Sequence, residues 1–113
     1  MITLIGRVIS KKNNHAGGGK FFITSRAYKQ FETGSLWQLK KVKEVYDGEI
    51  SVRLSFMMKG KLDTDLDNMV TSVIDVLQKA GIIVNDKKVM EIKAEKSHGH
   101  DEFMTIIIIT KHQ

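Results

Sequence analysis

Apolar and polar residues alternate most cleanly between Glu49 and Met58. Ile50, Val52, Leu54, Phe56 and Met58 fall on one side and Ser51, Arg53 and Ser55 on the other, the period-two pattern of a half-buried strand. Lys59-Gly60-Lys61 ends it. The period then lengthens. Leu66, Met69, Val70, Val73, Ile74, Leu77 and Ala80 form one stripe of a helix, and Gly81 is well placed as the residue just past its C-cap. Val89 to Glu95 alternates again, with Met90, Ile92 and Ala94 opposite Glu91, Lys93 and Glu95. Ser97 to Glu102 reads as a polar turn. Phe103 to Thr110 is apolar on both faces, which predicts an interior strand covered on both sides. The last two strands are expected to pair as a hairpin. The strand–helix–strand run from Glu49 to Glu95 makes a right-handed crossover if its strands are parallel.

The first half is patterned more weakly. Ile2 to Ile9 reads as a strand, Lys11 to Gly19 as a loop rich in turn formers, and Lys20 to Thr24 as a short strand. From Ser25 a helical spacing takes over through Tyr28, Phe31, Leu39, Val42 and Tyr46. Thr33-Gly34-Ser35 weakens that helix, because a glycine inside a helix costs about 1 kcal/mol relative to alanine. Trp37 and the Tyr28/Phe31 pair fit the core face of the helix better than a base-stacking platform. These elements predict one domain over residues 1–113, of the α/β (α+β) class, with a small mixed β-sheet and two main helices. There is no internal repeat and no linker.

Charge narrows the partners. The formal net charge is +5 and the isoelectric point about 9.5, which favours a polyanion such as nucleic acid. The absence of cysteine excludes disulfides, thiol nucleophiles and thiolate metal sites. The leading residues lack the charge and length of a signal peptide, and the longest apolar run falls far short of the roughly 20 residues needed to span a bilayer. A cytoplasmic protein with no membrane association is expected.

Against this basic background stands Lys61-Leu62-Asp63-Thr64-Asp65-Leu66-Asp67-Asn68, with Asn85-Asp86 just past the end of the following helix. Acids grouped in a basic chain suit a hard divalent ion held against a phosphate, since carboxylate and phosphate oxygens can share its shell. Two readings stay open from spacing alone. The acids either cap the helix and complement its dipole, at roughly 0.3–1 kcal/mol each, or they ligate a metal. An EF-hand is excluded: Asn68 stands where that loop needs glycine and Ile74 where it needs its bidentate glutamate. Gly17-Gly18-Gly19-Lys20 lacks the spacing of a nucleotide-binding loop, with Phe21 in place of the hydroxyl residue. Lys11, Lys12 and Lys20 read either as DNA-backbone contacts or as solvated surface lysines. His98-Gly99-His100-Asp101 offers imidazoles for a transition metal, yet it also reads as an ordinary polar turn.

Asp65-Leu66-Asp67-Asn68, Asp75-Val76-Leu77-Gln78-Lys79-Ala80-Gly81, Asn85-Asp86-Lys87-Lys88-Val89 and then Lys96 resemble the RusA family of Holliday-junction resolvases in residue type and spacing. Asn13-Asn14 followed by Phe22-Ile23-Thr24-Ser25 and Ala27-Tyr28 resembles the family's first loop, strand and helix more loosely. The resemblance implies a homodimeric endonuclease, bacterial or phage-encoded, that cuts four-way DNA junctions by paired symmetric nicks. It implies Mg²⁺, with Mn²⁺ as substitute, held by Asp65, Asp67 and Asp86. Three positions depart from the pattern: Thr64 where a basic residue is common, Thr71 where a lysine is expected, and Asn85 in place of the first acid of a pair. Lys59, Lys61 and Lys96 are candidates for the missing positive charge and, with Lys11, Lys12 and Lys20, for DNA contact. The rival readings are a catalytically weak nucleic-acid-binding protein of the same fold and a metal-dependent phosphohydrolase of small substrates. The broad positive charge argues against the last.

Overall fold

The computed structural model describes residues 1–11, the backbone of 15–16 and 23–24, and residues 25–113. The elements run β1 (Ile2–Ile5), β2 (His15–Ala16), β3 (Ile23–Thr24), α1 (Arg26–Leu39), β4 (Ile50–Lys59), α2 (Leu66–Lys79), β5 (Val89–His100) and β6 (Met104–Lys111). The main sheet has the order β1-β6-β4-β5. β4 is parallel to β5 and antiparallel to β6, and β6 is antiparallel to β1, so the sheet is mixed as expected. β2 and β3 form a separate two-residue antiparallel ladder.

The alternation of β4 survives intact. Ile50, Val52, Leu54, Phe56 and Met58 are all buried, in one core with Met69, Val73, Val76 and Leu77 of α2 and Leu39 of α1. Register puts Ile107 beside Leu54 and Ile109 beside Val52 on this same face. α2 ends in a Schellman arrangement. The Ile82 amide donates to the Leu77 carbonyl at 3.0 Å and the Gly81 amide to Gln78 at 3.0 Å, with Gly81 at φ +78°.

Several expectations are revised. β1 stops at Ile5, because Gly6 at φ +113° turns the chain out of the sheet. α1 runs unbroken through Thr33-Gly34-Ser35. Its start is capped by Ser25, whose hydroxyl accepts from the Tyr28 amide at 3.1 Å, and burial of Tyr28 and Leu39 outweighs the cost of one glycine. α1 ends at Leu39, short of Val42 and Tyr46. Tyr46 instead bridges to Ile83, donating to Ile82 at 2.7 Å and accepting from Val84 at 3.1 Å. Trp37 leaves the core altogether: it is 72% exposed, with the Lys40 ammonium 4.7 Å from its ring centroid.

The largest correction concerns the last two strands. They do not form a hairpin, because β4 lies between them. β5 continues through the expected turn to His100, with Ser97 beside Met57 and His100 beside Lys59. Satisfying both edges of the most apolar segment explains the order. β6 takes an interior place with hydrogen bonds on both sides, and the charged β5 takes the edge, where charge discourages further pairing. Only one face of β6 is covered. Thr105 and Ile107 are buried, while Ile108 on the other face is 38% exposed. The expected part of the Lys20–Thr24 strand before Ile23 lies outside the described residues.

Candidate active site

The carboxyl ends of β4 and β5 run side by side, and the chain leaves β4 through Gly60 (φ +56°) into the loop that enters α2. Clefts at the carboxyl ends of parallel strands are the usual place for sites in sheets of this kind. Three side chains from two segments grip this loop. Lys96 of β5 donates to Asp63 Oδ1 at 2.7 Å and to the Thr64 carbonyl at 3.0 Å. His98 Nε2 stands 3.1 Å from the same Asp63 oxygen. Arg7, just past β1, donates through Nη2 to the Asp63 carbonyl at 2.8 Å and to Thr64 Oγ1 at 3.3 Å. The Lys96 bond first, and then His98, holds the Asp63 carboxyl down at about 2.

Asp65 occupies the N-cap position of α2, yet its side chain makes no cap hydrogen bond. Among the described residues its Oδ2 accepts only from the Asn68 side-chain amide, at 3.4 Å. The capping explanation therefore does not account for this acid. Asp65 lines a shallow groove with Arg7, Ser10, Asp63, Thr64 and Asn68. Asp67 is exposed in the first turn of α2, where a negative charge complements the helix dipole. The Thr71 hydroxyl, one turn on, donates to the Asp67 carbonyl at 3.1 Å.

α2 has 14 residues and so runs about 21 Å away from this end. The return segment brings Asp86 only partway back. Its backbone amide donates to Gln78 Oε1 at 2.7 Å, and its side chain lines a second hollow with Val70, Thr71, Ile74, Asp75, Val89 and Ile92. Asn85 caps the turn here, its Oδ1 accepting from the Lys87 amide at 2.9 Å. Asp65 and Asp86 thus open onto different hollows. Among the described residues no three His, Asp or Glu side chains are gathered as a set that could hold a metal ion. Neither Asp65, Asp67 nor Asp86 enters an ion pair there, whereas Asp63 and Asp75 both do. Their oxygen donors suit a hard cation in kind. Their placement in the single chain does not form a complete set.

The candidate cations divide. Lys59, the last residue of β4, and Lys61, on the loop after it, are exposed and make no ion pair among the described residues. Lys96 is committed to the Asp63–Thr64 loop. Lys11 stands 4.0 Å from Asp75 and 5.8 Å from the Tyr28 ring centroid. Lys12 and Lys20, like Asn13, Asn14 and the triglycine segment, lie outside the described residues. His98 and His100 belong to a strand rather than a turn, and His100 pairs with Ser97 Oγ at 2.7 Å. Sequence reasoning missed Arg7 altogether. A single arginine following an apolar run carries no local signal, and only tertiary folding brings it to Thr64.

The family model for endodeoxyribonuclease RusA matches residues 7–110. The chain is 35% identical over 81 residues to a crossover junction endodeoxyribonuclease RusA from Aquifex aeolicus (strain VF5), covering 70% of this chain. The matched stretch spans 64% of that relative's length. A small mixed sheet with two helices, and an acid-bearing loop at the carboxyl ends of its parallel strands, is the architecture in which that match falls. The chain belongs to the RusA endodeoxyribonuclease family.

Proposed function

We propose that this chain is a divalent-metal-dependent endodeoxyribonuclease that resolves four-way DNA junctions as a homodimer. The observation that carries the reading is the family match over residues 7–110, which includes every acid and cation of the site. Asp65, Asp67 and Asp86 are the carboxylates assigned to the metal, Mg²⁺ with Mn²⁺ as substitute, and the absence of ion pairs to them among the described residues supports this. When bound, such a metal polarises a phosphodiester and lowers the pKa of water. The chain's own part is to place carboxylates, to keep Asp63 neutralised by Lys96 and His98, and to present Lys59 and Lys61 to the DNA backbone. Lys11, Lys12, Lys20 and Lys96 complete the assigned DNA contacts. A bacterial or phage-encoded, cytoplasmic setting goes with this activity. Among the described residues no helix is long and apolar enough to cross a membrane.

The second copy is assigned to the sheet face away from the helices. Ile5, Met57, Met104, Ile106 and Ile108 share that face by register, with Ile5 49% exposed. Arg53 and Lys93 lie beside Glu91 and Glu95 on the same face, so it carries both signs of charge, which a two-fold interface needs to complement itself. Two linked sites match the two equivalent strands of a junction.

One observation favours a second reading, a DNA-binding protein of this fold that cuts weakly: the three acids do not form one set in the single chain. Incubation of a synthetic four-way junction with parent and Asp67→Asn in Mg²⁺ and in Mn²⁺ separates the two. Nicking by the parent and none by Asp67→Asn, with binding retained by both, supports the nuclease. Binding without nicking by the parent in either metal supports the second reading.

A further inference from the structure

Arg7 is half-buried and has no carboxylate partner among the described residues. Arginines are seldom buried without one, because a desolvated charge is costly. The nearby acid is already taken. Asp63 gives its carboxylate to Lys96 and His98, and only its backbone carbonyl to Arg7. Lys96 thereby has a counter-charge while Arg7 has none among the described residues. Its guanidinium is nonetheless fixed in place, with the Phe103 ring centroid 5.3 Å from Cζ and two hydrogen bonds through Nη2. Nε is buried and has no acceptor, and Nη1 bonds no described residue. The group lines the groove that contains Asp65 and Asn68.

We infer that Arg7 is a phosphate-binding residue, its planar fork taking a non-bridging oxygen of the DNA strand that lies along the Asp63–Asn68 groove. This rests on the reading of the chain as a junction-binding protein. The chemistry is direct: a guanidinium is the side chain best shaped for phosphate oxygens, and charge-assisted bonds are the strong ones. Phosphate would supply the counter-charge that the fold withholds. The position matters too. Arg7 bonds Thr64, the residue just before Asp65, so a phosphate on Arg7 sits next to the first acid of the site.

A merely structural Arg7 would staple the Asp63–Thr64 loop and leave ion release unchanged. Salt dependence separates the two. Junction binding is measured without divalent metal over a range of NaCl for parent, Arg7→Gln and Arg7→Lys. Losing one phosphate contact lowers the log–log slope by about 0.9 per engaged copy. Arg7→Gln is expected to show that loss. Arg7→Lys is expected to keep the parent slope and bind more weakly, since an ammonium lacks the fork. A parent slope in Arg7→Gln overturns the inference, even if affinity falls. Where Arg7→Gln does not fold, the parent alone decides: its Arg7 side-chain nitrogen resonance moves on adding the junction, and an unmoved resonance at saturation overturns the inference. A parent that binds no junction at all overturns the functional reading beneath it.

Discussion

Two acids two residues apart meet different fates at the entrance to α2. Asp63 is tied to Lys96 and His98, while Asp65 keeps, among the described residues, a single weak contact with Asn68. The first is a structural charge with a definite pH signature. Lys96 and His98 hold its folded pKa down at about 2, below the ordinary carboxylate value of 3.8, so its contribution is present above pH 3.8 and is lost as pH falls through about 2. Urea midpoints of parent and Asp63→Asn should therefore differ at pH 5 and converge towards pH 2. A constant difference across that range would contradict the assignment. The second acid belongs to the proposed chemistry, as does Asp67. Asp67→Asn is expected to slow cleavage by more than the roughly 10–100-fold that losing an outer-shell partner of a metal ligand costs. A single-turnover assay checks this, and parental rates would remove Asp67 from the site.

At the scale of elements, β4 and α2 were legible because their periods are uninterrupted and their apolar faces meet in one core. Gly81 was legible for a local reason, the positive φ that a Schellman turn requires. Gly81→Ala puts a side chain into that conformation and is expected to cost about 1–2 kcal/mol, read as a lower urea midpoint. No change would mean that the turn relaxes. The rest of the architecture depended on choices that no local pattern encodes. The second half of β5 looks like a turn because an edge strand bonded on one side can be polar throughout. Which strand β6 joins is decided by burial across the sheet rather than by the short connection at Asp101–Phe103. Trp37 carries a core-like residue type on an exposed face. The acids of the site were legible as residue types at a spacing, but Asp86 was placed by the length of α2 and its return turn. Arg7 depended wholly on tertiary folding.

For the whole molecule, the uncovered sheet face and the basic surface lead to separate consequences. Ile108→Arg places a charge at the centre of the face assigned to the second copy. It is expected to weaken dimerisation at least about a hundredfold, roughly 2.8 kcal/mol, while leaving the fold intact, since Ile108 is already 38% exposed. Light scattering over a dilution series reads this, and a parent that is monomeric throughout would contradict the dimer. Specificity follows from the same geometry. Among the described residues there is no helix-turn-helix or zinc finger to read base edges, and lysine and arginine contacts to phosphate carry little sequence information. In the proposed dimer, two linked sites would instead select a substrate whose two scissile phosphates match their spacing. The most direct test is cleavage of a labelled four-way junction beside its matched linear duplex, at equal protein, salt and Mg²⁺. Paired nicks near the branch point with little cutting of the duplex are expected. Equal cutting of both, or none of the junction, would contradict junction resolution.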